Sequence, residues 1–353
     1  MRELCLSDKI YISTIADDAD SLAREYGFGL EIAEFCTALN MDESFEKYDA
    51  QVRDRIRSVE RLIFHAPFNE LCPAAIDPLI VDVAKMRYAQ AYDLMRGYGV
   101  NRMVVHSGFV PMIYFEEWFV EKSVSFWRDF LTDKPEGLRV YIENVLERSP
   151  EMLCDIVSAV NDERLGLCLD IGHASHVKSD ITINEWAEHM LPFLGHVHLH
   201  NNYGERDTHN APGDGIVDVA ALIRLVAQAA PDVTFTVETI DGRSSVKWLE
   251  SIGCQGDGSL DTRCQGDGSL DTRCQGDGSL DTFSLKRCQE NRPPDTLTPP
   301  SKTGVDCLNA CASWDSPLCN CGPACNAGGR SPAHCWRAYR GIVSWNHHCE
   351  RLA

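Results

Sequence analysis

Residues 138–173 read LRVYIENVLERSPEMLCDIVSAVNDERLGLCLDIGH. Two short apolar, β-branched runs, 138–145 and 165–173, flank a stretch of helix length, and each run closes on a carboxylate, Glu143 and Asp170. Short continuous apolar runs suit parallel strands buried on both faces, because parallel strands need a crossover helix between them. The same strand-then-helix rhythm extends in both directions. Strand candidates are KIYISTIA (9–16), GLEIAEF (29–35), RLIFHAP (61–67), RMVVHSG (102–108), GHVHLHN (195–201) and VTFTVETI (233–240), which with the first two make eight. Helix-period stretches lie between them. In the stretch from Asp77 to Gly99, Leu79, Val83, Met86, Ala89 and Tyr92 recur about one turn apart and form the expected core-facing stripe. Eight units of roughly 32 residues fill about 250, the size of a (β/α)8 TIM barrel. No glycine-rich GxGxxG turn follows the first strand, which disfavours an open dinucleotide-binding sheet.

From Cys254 the character changes. The decamer CQGDGSLDTR occurs at 254–263 and 264–273, and CQGDGSLDT returns before Phe283. Identity at every position points to a recent tandem duplication, because repeats under structural selection drift unequally. Residues 284–353 are rich in Cys and Pro without periodicity. Eleven of the 16 cysteines fall after residue 253, and the spacing of Cys307, Cys311, Cys319, Cys321 and Cys325 contains no CxxC pair for a zinc knuckle. The organisation read from sequence is therefore a barrel over 1–253, a repeat over 254–283 and a low-structure tail over 284–353. The tail is expected to be irregular and to make few contacts with the barrel.

The chain of 353 residues carries 33 Lys+Arg against 53 Asp+Glu, a net charge of −20. Nearly all of it lies in residues 1–253, with 23 basic and 42 acidic residues. Such a field repels polyanions, so nucleic acid is an unfavoured partner. No apolar run is long enough to span a membrane and no signal-peptide core begins the chain, which reads as cytoplasmic.

Side chains at the C-terminal ends of barrel strands converge on one mouth. There the sequence places His65, His106, Glu143, Asp170 with His173, His198, then Asp207 and His209 in the following loop, and Glu238. Imidazoles and carboxylates together form a ligand set for Zn²⁺, Mn²⁺ or a related ion. Glu31 or Glu34 on the second strand could point inward, or Glu34 could pair with a barrel lysine or arginine. Asn144 is read as orienting a neighbour. His196 is placed deeper on the face of His198, and His200 is read as facing the helices. Tyr114, Trp118, Phe119 and Trp127 read as packing more readily than as a roof over the pocket.

The strings FHAPFNEL, VVHSG, YIENV, LCLDIGH, HVHLHNNYGERDTHNAPGDG and TVET resemble the xylose-isomerase-like barrel superfamily over roughly residues 9–253. That group includes sugar-phosphate isomerases and epimerases and the metal-dependent endonucleases of abasic sites (AP endonuclease family 2). The isomerase resemblance implies one divalent ion on Glu143, Asp170, His198 and Glu238, with Glu143 and Glu238 as catalytic acid and base on a carbohydrate substrate. The endonuclease resemblance implies up to three ions, held by His65, His106, Glu143, Asp170, His173, His198, Asp207, His209 and Glu238. His173 and Arg206 are the candidates for touching substrate. The expected activity is a metal-dependent isomerase or epimerase, with a multinuclear zinc phosphoester hydrolase and a non-catalytic metal- or sugar-binding barrel as alternatives.

Overall fold

A computed structural model describes residues 6–179 and 181–253. The decamer repeat, the Cys-rich segment and the irregular tail expected over 254–353 lie outside the described residues. Eight parallel strands close into one barrel in sequence order: β1 (Ile10–Ser13), β2 (Gly29–Ile32), β3 (Leu62–His65), β4 (Arg102–His106), β5 (Arg139–Glu143), β6 (Leu165–Asp170), β7 (Leu194–Leu199) and β8 (Thr234–Val237). All eight strand candidates are present, each ending earlier than its candidate. The outer layer consists of α1 (Ala19–Tyr26), α2 (Leu39–Asp42), α3 (Phe45–Arg55), α4 (Pro78–Gly97), α5 (Glu116–Leu131), α6 (Glu151–Val160), α7 (Ile171–His176), α8 (Ile183–Met190), α9 (Val219–Ala229) and α10 (Gly242–Ser251).

Helix starts follow from local chemistry. Asp77, Asp218 and Asp241 cap α4, α9 and α10 by accepting orphan backbone N–H groups, and Thr182 with Glu185 forms a capping box on α8. The barrel interior below the mouth is filled by Tyr11, Ile63, Val104, Tyr141 and Cys168. Gly195 makes this filling possible, since a Cβ there would lie 2.1 Å from the Tyr141 ring. The larger core lies between strands and helices.

The stripe expected to face the core on α4 is turned outward. Of its members Tyr92 is buried as expected, but Leu79, Val83, Met86 and Ala89 are exposed, and Ala84, Tyr88, Ala91 and Met95 are buried in their place. Both sets have helical spacing, so periodicity alone could not choose. The alanines let α4 approach closely, and Tyr88 fills the gap by stacking on Trp127 of α5 at 5.6 Å. Phe119 and Trp127 are buried packing residues as expected.

Candidate metal centre

Parallel pairing in register brings the strand ends level. His106 is opposite Glu143, and Asp170 is opposite His198. All nine expected donors meet at this rim, with Glu143 at the centre. Its Oε2 lies 3.3 Å from His65 Nε2 and 3.4 Å from His106 Nε2. Its Oε1 lies 3.4 Å from His198 Nδ1. The His198 Nδ1 atom is also 3.1 Å from Glu238 Oε2 and 3.6 Å from Asp170 Oδ2. Further out, Asp207 Oδ2 lies 3.4 Å from His173 Nε2 and 3.0 Å from His209 Nε2.

Among the described residues four donor clusters result, one of them formed by Glu31, His65 and His198. A rim cluster holds His65, His106 and Glu143, a central cluster holds Glu143, Asp170, His198 and Glu238, and an outer cluster holds His173, His200, Asp207 and His209. Within each, donor atoms lie within 4.8 Å of one another. Two ligand atoms ~2.0–2.2 Å from one ion lie no more than about 4.4 Å apart, so modest side-chain movement closes each set.

The fit to a divalent ion rests on the donors. Both Glu143 oxygens and His198 Nδ1 are buried without a hydrogen-bond partner, as is Asp207 Oδ1. Buried polar atoms cost free energy unless satisfied, and their convergence is what cation ligands require. Several imidazoles are also oriented for ligation. Backbone carbonyls accept a proton from Nδ1 of His65 (Ala66 O, 3.0 Å), His173 (Asn144 O, 2.9 Å) and His209 (Glu238 O, 2.9 Å), which directs each Nε2 at the site. His209 has φ 47°, a left-handed conformation that costs on the order of 1–3 kcal/mol. The loop therefore holds this side chain in place against backbone preference.

Charge is balanced among the side chains themselves. Burial pushes Glu143 upward, but the imidazoles of His106 and His198 more than offset it and hold it well below the usual carboxylate range. Asp170, Asp207 and Glu238 are depressed against burial in the same way by neighbouring histidines. Burial opposes charge on His65 and His209, yet Glu143 and Asp207 respectively lift them to about 9. His106, where burial wins, is pushed down to about 3.

Residues read less firmly from sequence also find places. Glu34 pairs with Arg55 at 3.4 Å and accepts from Thr14 Oγ1 at 2.7 Å. Asn144 orients strand β6 rather than Glu143: it donates to Asp170 O and accepts from Asp170 N. His196 lies deeper, between Thr234 and Thr236. Arg206 is exposed beside Asp207. Of the two glutamates on the second strand it is Glu31 that points into the site, and one further residue, His200, was misplaced. Glu31 lies beneath His198, with Oε1 3.1 Å from Nε2, and its Oε2 accepts from Thr236 Oγ1. His200 does not face the helices. A strand alternates with period two, so residues 196, 198 and 200 share one side, and that parity was the overlooked signal.

The sequence profile described as the xylose isomerase-like TIM barrel matches residues 15–254. Uncharacterized protein MJ1311 of Methanocaldococcus jannaschii is 27% identical over 217 residues, 58% of this chain and 72% of its own length. Among solved structures, a D-tagatose 3-epimerase-like protein is similar at TM-score 0.57 and 23% identity, over 69% of this chain and 95% of its own. The TTHB071 protein of Thermus thermophilus, soaked with ZnCl2, is similar at TM-score 0.56 and 24% identity, over 69% of this chain and 97% of its own. These likenesses agree with the closed barrel, and the profile match spans most of the sequence, so the chain belongs to the xylose isomerase-like TIM barrel family.

Proposed function

We propose that this chain is a divalent-metal-dependent isomerase or epimerase of a sugar, sugar phosphate or related polyol. The observation that carries this is the central cluster, in which Glu143 and Glu238 stand at 3.4 and 3.1 Å from the same nitrogen of His198. Asp170 completes the four donors. A bound divalent ion supplies Lewis-acid stabilisation of the charge that develops on adjacent substrate oxygens. Glu143 and Glu238 then act as the acid–base pair: one carboxylate removes a proton from the carbon beside a carbonyl and passes it to the other, which returns that proton at the neighbouring position. Both are buried and depressed, so they are ionised and able to accept. Arg206, exposed and next in sequence to Asp207, is assigned to an anionic substituent of the substrate. The epimerase-like name of one structural neighbour and the zinc soak of another support the choice.

A second reading has an observation of its own. The nine expected donors fall in three neighbouring clusters, two of which share Glu143, and this suits a multinuclear phosphoester hydrolase, in which adjacent ions activate water and clamp the phosphate. The acidic body weighs against a nucleic-acid substrate. Elemental analysis of the full chain, followed by a panel of ketoses and abasic-site DNA, tests the choice. Ketose turnover that is lost in Glu238→Gln supports the isomerase reading; cleavage of the DNA with no ketose turnover overturns it.

A further inference from the structure

His200 is fully buried in a slot that residue 172 leaves open: a Cβ on Gly172 would lie 1.9 Å from His200 Cε1. Its Nε2 lies 2.9 Å from both oxygens of Asp170. A ring nitrogen facing two carboxylate oxygens is the donor of that contact, because a carboxylate accepts, and this leaves Nδ1 as the other ring nitrogen to account for. That Nδ1 has no hydrogen-bond partner and lies 3.6 Å from Asp207 Oδ1. By distance alone His200 would be a fourth donor of the outer cluster.

Ring geometry decides otherwise. His200 and His209 stack face to face, with centroids 3.9 Å apart and planes 7° from parallel. Imidazole lone pairs lie in the ring plane, and a zinc ion sits ~2.0–2.1 Å from its nitrogen. Two parallel rings at this separation cannot both aim in-plane lone pairs at one ion. His209 is the ring already oriented for the task, its Nδ1 tied to Glu238 O and its Nε2 3.0 Å from Asp207.

We propose that His200 is a positioning residue that locks Asp170 of the central cluster and His209 of the outer cluster into one arrangement, without ligating either ion. This rests on the metal-binding reading of the central cluster above and on a second ion in the outer cluster, whose donors fit one equally well. Asp170 Oδ1 is committed to the His173 backbone N–H at 2.7 Å and shares the His200 proton, which fixes the rotation of the carboxylate and turns Oδ2 toward His198. The opposite end of the same contact chain is the stack, which fixes the plane of His209. Removing the His200 ring releases one donor in each cluster, so the two sites loosen together.

The test uses the full chain, ¹⁵N-labelled at histidine and loaded with ¹¹³Cd²⁺, alongside zinc retention against a chelator. His173 and His209 should show ¹¹³Cd–¹⁵N coupling, and His200 should keep its Nε2–H signal with no coupling at Nδ1. His200→Ala should lower retention at both clusters by about 10–100-fold, the usual effect of losing a residue that orients a ligand. His200→Gln, which keeps a donor toward Asp170 but loses the stack, should restore the central cluster and leave the outer one weak. Cadmium coupling to His200 Nδ1 would make it a ligand and overturn the proposal, as would wild-type retention in His200→Ala. A wild-type chain that binds no divalent ion would overturn the proposed function as well, so the two failures are distinct. If His200→Ala does not fold, the coupling pattern of the wild-type chain decides alone.

Discussion

Glu31 Oε1 lies 3.1 Å beneath His198 Nε2, so the imidazole at the centre of the site is held from below by a carboxylate and presents Nδ1 upward to Glu143, Asp170 and Glu238. Glu31 is itself anchored, with Thr236 donating to Oε2 and His196 at 3.2 Å. A carboxylate behind a ligating histidine fixes its tautomer and raises its basicity. Glu31→Gln should therefore weaken ion retention at the central cluster by about 10–100-fold while leaving the count of ligands intact. Chelator competition on the purified variant measures this; unchanged retention would assign Glu31 to packing.

The rim cluster makes a separate prediction. His106→Ala removes one of three rim donors but none of the four central ones. Under the isomerase reading, metal content is unchanged and the Michaelis constant for substrate carries most of the effect. A fall of one ion per chain, accompanied by loss of phosphoester cleavage, would instead identify the rim cluster as an occupied site of a hydrolase.

On α4 the two apolar stripes should respond in opposite ways. Leu79→Ser and Val83→Ser, at exposed positions, should change unfolding free energy by no more than about 0.5 kcal/mol. Tyr88→Ala opens a cavity against Trp127 and should cost on the order of 3–5 kcal/mol. Chemical denaturation of the three variants checks the orientation of the helix.

Glu34 sets a pH dependence. Burial raises its pKa above the ordinary 4.5, and the attraction of Arg55 and the hydrogen bond from Thr14 only partly offset this. The native state then binds more protons than the unfolded chain between the ordinary and the raised value, so this group's contribution to stability falls as pH rises through that window. Other carboxylates titrate nearby, so the comparison must be with Glu34→Gln. Wild-type stability minus variant stability should decline with increasing pH from about 4.5 and level off above the raised pKa. A difference that rises with pH would reverse the sign assigned to burial.

The barrel was legible because its eight strands are written as separate apolar runs, each ending in chemistry that only a shared mouth explains. The donors at the strand ends were legible for the same reason, since parallel register aligns strand ends without further information, whereas His173, Asp207 and His209 lie beyond the strands. Glu31 was harder to read: it is buried below the mouth, and only its distance to His198 separates an orienting carboxylate from a structural one. His200 was misread through a parity error that the strand period itself corrects. The α4 stripe was misread for a physical reason. Ala84 and Ala91 carry almost no hydrophobic signal, yet their small size lets the helix approach the barrel, whereas the bulkier Leu79 and Met86 face outward.

Because Glu143 serves two clusters at once, the site can be dismantled only in certain orders. Loss of His65 or His106 by drift would strip the rim and spare the central donors, leaving a descendant with one ion and its proton-transfer pair. Loss of Glu143 would take a ligand from both. Under the proposed metal-dependent reading, passage between many-ion and one-ion chemistry would therefore be open through the histidines and closed through the shared glutamate. The residue most exposed to selection is the one whose two oxygens face different neighbours.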